Sequence, residues 1–296
     1  MWLCAALLLC LAAAQDIDRA FAQDGFAVVA RSSANGTAVL ANSTTAFNLR
    51  TGNPKRAFYA RGSPYSWGRN VALLAYDDLV AAAGAFLQKI PLALIAPAWV
   101  EKHSGWAVKE LEKIIDDILT TSTSKAFDVA VADGSIPSSV VDEMQGLVDG
   151  AQQMDKNTIV TIDKLKAINY GFDVITARVF SGHLVADILA VASPALTRKL
   201  RSDRRFLREL AACDGIGVRG DWTASNYSTF LMRDLQFEMA DVLQDHIAIG
   251  VFVPEPPAAP AASSNGVGEN LGAAVRIFAP GFVGAFAGLS ERFVLF

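Results

Sequence analysis

The sequence predicts an α+β protein, and three observations carry that expectation. From Tyr65 to about Leu210 the apolar residues recur mostly at helical spacing. From Cys213 onward the period switches to two, the signature of strands. Ahead of both, an Asn-Gly pair stands between two short alternating segments, which is a hairpin signal. With 296 residues, 52% of them hydrophobic and 19% charged, the chain can bury a real core as one large domain or two modest ones.

The opening "MWLCAALLLCLAAAQ" is an apolar run ending in small residues, the pattern of a secretory signal peptide over residues 1–14 with cleavage near Ala14. It lacks a basic start, and the other reading is a short membrane anchor. The run is shorter than the ~20 residues that span a bilayer. Cys4 and Cys10 would leave with the signal, and Cys213 would remain as a single thiol. Three Asn-x-Ser/Thr sequons, at Asn35, Asn42 and Asn226, fit a secreted or lysosomal protein and are the candidate glycosylation sites.

The hairpin is expected in "GFAVVARSSANGTAVLANSTTAF". Helices are expected in "VALLAYDDLVAAAGAFLQKI", "WAVKELEKIIDDIL", "SSVVDEMQGLVDGAQQM" and "TIDKLKAINYGFDVITARVFSGHLVADILAVA", punctuated by Pro64, Pro91, Pro97, Pro137 and Pro194. Asp77, Asp78, Lys89 and Pro91 interrupt the most apolar of them, so no stable membrane span is expected. Strands are expected in "DGIGVRG", "STFLMRDLQF", "HIAIGVFVPEP", "AAVRIFAPG" and "FVGAFAGLSERFVLF", with a Pro/Ala/Gly/Ser loop before the fourth. The organisation is thus a signal over 1–14, a mainly helical segment over 15–212, which is a candidate propeptide or light chain, and a β-rich part over 213–296.

Composition excludes some functions. A formal net charge of -4, with no basic stripe interleaved with aromatics, removes the electrostatic case for nucleic acid. Three histidines, His103, His183 and His246, form no ligand spacing, no cysteine pair exists after the signal, and no phosphate loop is present. No metal and no cofactor are expected.

Cys213 sits where the helical part gives way to the β part. A lone cysteine is either a small buried hydrophobe or a nucleophile, and Asp214 and Gly215 beside it favour the second. No histidine has a recognisable spacing to it. If the Ala212–Cys213 bond breaks, however, the new α-amino group, with a pKa of about 7.7–8.0, can take the thiol proton itself.

Arg233 and Asp234 follow in "MRDLQF". Such a pair is either an ordinary surface ion pair or, beside a nucleophile, a substrate holder that biases the thiol towards thiolate. Six basic residues crowd "TRKLRSDRRFLRE", read as a solvated helix face or, at Arg204-Arg205, as a cutting site for an outside protease. The pairs Asp77-Asp78 and Asp116-Asp117 are read as solvated.

From about Arg61 the chain resembles the acyl-coenzyme A:6-aminopenicillanic-acid acyltransferase-like proteins, a branch of the N-terminal nucleophile hydrolases. "RGSPYSWGRNVALLAYDDLVAAAGAFL" is similar to their "RGTPYEMGYQHG" segment, "IPSSVVDEMQGLVDGA" to their "P…EEL.GIADGA" helix, and "DKLKAINYGFDV" to the stretch after it. "CDGIGVRGDWTASNYSTFLMRDLQF" is similar to "CS.FAVWG.AT.DG….GRNLDW", and "APGFVGAFAGLSERFVLF" to "PGFVG..SGMNEKGL".

The resemblance implies an αββα sandwich of antiparallel sheets, and a Cys213 thiol that attacks the Ala212 carbonyl, frees itself as a new amino terminus and leaves a light-chain/heavy-chain heterodimer. It then implies attack on a linear amide or acyl bond of a small molecule through a thioester resolved by water or an amine, with Arg233 supporting nucleophile and substrate. It also implies that the sandwich continues beyond Phe296, where an oxyanion-hole asparagine would lie. Asp234 stands where the motif has asparagine, and Ser290 where "GMNEKGL" has one. Gln236 replaces the aspartate that binds the nucleophile's amino group, and it can accept a hydrogen bond without supplying charge. These departures motivate the alternative reading, a catalytically inactive secreted relative that binds an acyl or peptide ligand.

Overall fold

The computed structural model describes residues 17–33, 37–48, 51–84, 105–180, 183–202, 214–219, 229–234, 246–255, 273–281, 283, 287–290 and 294–295. The protein is α+β. In chain order come α1 (Ile17–Gln23), β1 (Phe26–Ser32), β2 (Thr37–Phe47), β3 (Pro54–Gly62), α2 (Pro64–Leu74), α3 (Trp106–Ala132) and α4 (Ser138–Met154). Then follow α5 (Ile162–Phe180), α6 (His183–Val191), α7 (Pro194–Ser202), β4 (Asp214–Arg219), β5 (Thr229–Asp234), β6 (Ala248–Pro254), β7 (Ala274–Phe278), β8 (Ala287–Ser290) and β9 (Val294–Leu295).

Among the described residues seven strands form one sheet in the order β1-β2-β3-β6-β7-β8-β9, and β4 and β5 form a separate two-stranded ladder. The pairings in the large sheet are antiparallel except β3–β6, which run parallel from Arg56↔Ala248 to Gly62↔Pro254. A parallel pair needs a long crossover, and here the helices lie in it. The sheet therefore draws its strands from both sides of Cys213.

The sheet is covered on both faces. Leu40, Phe58, Ala60 and Phe252 pack with Trp67, Val71, Met144, Leu147 and Leu165 on the helical side. Val39, Ala41, Ala57, Tyr59 and Val251 pack with Ala20 and Phe21 of α1 on the other. Burial on both faces explains why β3 escaped the sequence reading: "AFYA", Ala57 to Ala60, is buried without interruption and shows no alternation. The short α1 was missed as well, because seven residues hold too few turns to show a period.

Local signals set the helix starts. The Ser63 hydroxyl accepts from the Ser66 amide, and Pro64 occupies the first turn, where a missing N–H costs nothing. Ser193 does the same for α7: its hydroxyl accepts from the Leu196 amide while its own amide and hydroxyl donate to the two carboxylate oxygens of Glu110 on α3. Among the described residues no helix is long and apolar enough to cross a membrane.

Candidate functional site

The β4–β5 ladder places the neighbours of the candidate nucleophile. Its register pairs Asp214 with Asp234 and Gly215 with Arg233, and it continues through Ile216↔Met232 to Arg219↔Thr229. The residue that follows Cys213 in the chain thus lies directly across from Asp234, and the next one across from Arg233. Ala212, Cys213 and Gln236 lie outside the described residues, as do Asn35 and Asn226. Ser290 ends β8 in the seven-stranded sheet, across from Ala274 of β7, and so sits on a different sheet from Arg233. Asn42 is half-buried within β2, between Ala27 of β1 and Arg56 of β3, and its Oδ1 is buried with no hydrogen-bond partner among the described residues.

The segments that carry the resemblance also meet in space. α2 crosses α4 at glycines: a Cβ on Gly68 would stand 2.0 Å from the Glu143 carbonyl oxygen, and one on Gly146 would stand 2.0 Å from that of Tyr65. Gly150 extends the contact, since its Cβ would meet the Arg69 carbonyl oxygen at 2.6 Å. Backbone approach this close is open only to glycine. The crossing is pinned by Tyr65 Oη donating to Asp149 Oδ2 at 2.7 Å and by Arg69 Nη2 donating to Gln153 Oε1 at 2.9 Å.

That crossing presents Glu143 to β7. Arg276 Nη1 donates to both Glu143 carboxylate oxygens at 2.8 Å. The guanidinium lies over the rings of Phe252 and Trp67, at 4.6 and 5.4 Å from their centroids. Burial pushes the Glu143 carboxyl above its ordinary range, and the Arg276 charge opposes that shift. A charge pair this deep with two aromatic faces on the cation joins α2, α4, β6 and β7 at one point. A signal for it existed in the sequence, because Glu143 stands in register with Leu147 and Ala151 on the buried stripe of α4.

A second bridge runs from α5. The Asn169 carboxamide donates to the carbonyls of Leu165 and Gly281, at 2.8 and 2.9 Å, and accepts from the Val283 amide at 2.7 Å. It thereby holds the "PGFVG" segment through its backbone. Gly281 itself has φ +99°, a conformation glycine adopts without strain.

One member of each aspartate pair is less solvated than the sequence suggested, while Asp77 and Asp117 are exposed as expected. Asp78 is nearly buried, ion-paired with Arg56 of β3, and its Oδ1 is 3.0 Å from Nδ1 of His246 just before β6. On Asp116 the Oδ1 atom is buried without a hydrogen-bond partner among the described residues, and burial raises its carboxyl above the ordinary range. Its sequence neighbours on helical faces hid both, because adjacent residues point in different directions round a helix. Among the described residues no group of three or more His, Cys, Asp or Glu side chains could hold a metal ion.

No protein-family model, curated protein or solved structure matches this chain.

Proposed function

We propose that the chain is a secreted or lysosomal cysteine hydrolase or acyltransferase of the N-terminal nucleophile type, acting on a linear amide or acyl bond. The observation that carries this reading is the β4–β5 register, which sets Asp214, the residue after the Cys213 thiol, opposite Asp234 and sets Gly215 opposite Arg233. The packing of α2 on α4 and of Asn169 and Leu79 on Gly281 supports it, because four separate stretches that resemble one family touch one another.

In the proposed chemistry the Cys213 thiol attacks the Ala212 carbonyl carbon, the C–N bond breaks, and the acyl group moves to Sγ as a thioester. Water hydrolyses that thioester, leaving an Ala212 carboxylate and a free Cys213 amine and thiol. The amine then accepts the thiol proton as Sγ attacks a substrate carbonyl, and it returns the proton to the departing amine or alkoxide. Water or an amine releases the acyl group. An αββα sandwich belongs to the same proposal, with β4–β5 and β6–β9 as parts of its sheets.

Intact mass and amino-terminal sequencing of the purified native protein test the first half. The expected result is a chain beginning Cys213-Asp214-Gly215, absent from Cys213→Ala. A Cys213→Ala protein that is still cut at this bond and still turns over an acyl amide refutes the proposal. An uncut wild-type chain whose thiol reacts with iodoacetamide no faster than a buried thiol favours the ligand-binding alternative.

A further inference from the structure

The last described helix before Cys213, α7, carries a charge pattern that the proposed chemistry does not use. α7 is held by its apolar side, where Leu196 and Leu200 are buried. Arg198 and Arg201 are exposed on its other side. Its nine residues carry no acid, in a protein whose net charge is -4. Lys199 reaches over the ring of Trp106, with Nζ at 5.9 Å from the centroid. Trp106 opens α3 and is 54% exposed, and Val191 at the end of α6 is 63% exposed. Glu110, one turn along α3 from Trp106, accepts from the Ser193 amide and hydroxyl and keeps its negative charge, which the three cations of α7 outnumber.

We infer that α7 and the start of α3 form a docking surface for an anionic lipid bilayer. The cations supply attraction to the negative surface, and the half-exposed indole supplies the amphipathic ring that settles at headgroup depth. Charge alone would suit any polyanion. The combination with Trp106 and Val191 favours lipid, because a dissolved polyanion offers no apolar layer for those side chains, and a single indole is no stacking platform for bases. The inference is independent of the chemistry assigned to Cys213, and it stands or falls on binding alone.

The test is co-sedimentation of the full chain with phosphatidylcholine vesicles, with and without phosphatidylserine. Binding is expected only with phosphatidylserine and is expected to weaken as salt is raised. Removing one surface cation costs about fivefold in partition, so Arg198→Ala/Arg201→Ala should lose about twentyfold or more. Trp106→Ala should lose binding that persists at high salt, and Arg198→Lys/Arg201→Lys should retain it, which separates charge from misfolding. Lys125→Ala/Lys156→Ala, an equal change of charge at exposed sites elsewhere, should bind as the wild type does. Equal binding to both vesicles, an equal loss in the Lys125/Lys156 variant, or capture by soluble heparin without any vesicle binding overturns the inference.

Discussion

Replacing Gly146 by alanine adds one methyl group at the tightest point of the α2–α4 crossing. The new Cβ would lie 2.0 Å from the Tyr65 carbonyl oxygen, 2.8 Å from the Arg69 amide nitrogen and 2.9 Å from the Tyr65 carbonyl carbon. All three obstacles are backbone, so no rotamer change relieves them, and the helices must separate by about an ångström to restore ordinary contact. Separation loosens the Tyr65–Asp149 and Arg69–Gln153 hydrogen bonds and draws Glu143 away from Arg276. Alanine gains about 1 kcal/mol in helix propensity over glycine, against about 3 kcal/mol for overpacking at the upper end of its usual range. The net expectation is a loss of about 2 kcal/mol, or roughly 4–8 °C in the unfolding midpoint for a domain of this size. Thermal unfolding followed by circular dichroism measures it, with Gly84→Ala as the control. At Gly84 the nearest atom to a new Cβ is Ile159 Cδ1 at 3.7 Å, an ordinary contact. A Gly146→Ala protein as stable as Gly84→Ala would refute the reasoning.

Further substitutions probe the buried charges. Glu143→Ala or Arg276→Ala alone should cost about 3–5 kcal/mol by stranding the partner, whereas Glu143→Leu/Arg276→Met should cost far less than the sum, a non-additivity read by chemical denaturation. Asp116→Asn should raise the midpoint at neutral pH, since the folded protein binds the Asp116 proton more tightly than the unfolded chain does. A raised carboxyl pKa contributes stability that is complete below the unfolded value and is lost as pH rises through the folded one. The advantage of the asparagine should therefore shrink as the pH is lowered, and a gap that widens on acidification would contradict the assignment.

Much of the element list was legible. "SSVVDEMQGLVDGAQQM" is α4 residue for residue, and the strands expected after Cys213 contain β4 to β9. These elements are encoded within ten or twenty residues by a period, a cap or a proline. β3 was illegible for the opposite reason, because a strand buried on both faces loses its alternation. Within the candidate site, the order of the expected strands put Arg233 and Asp234 one strand over from Cys213, and the ladder register supplies the pairing of Asp234 with Asp214 and of Arg233 with Gly215. Asp78 shows the limit on charge: an aspartate in a helical run reads as solvated until β3 and His246 are packed against it.

By itself the sequence determined that most helices come before most strands, and that one thiol stands at the change of period. Only the tertiary structure decided that β3 and β6, separated by all the intervening helices, run side by side in parallel. It also decided that Glu143 meets Arg276 and Asn169 meets Gly281. The physical reason is range. Backbone periods follow from the immediate neighbours of each residue, whereas a buried pair depends on which distant surfaces exclude water together, and glycines such as Gly68 and Gly146 reveal that purpose only when the opposing helix is in place.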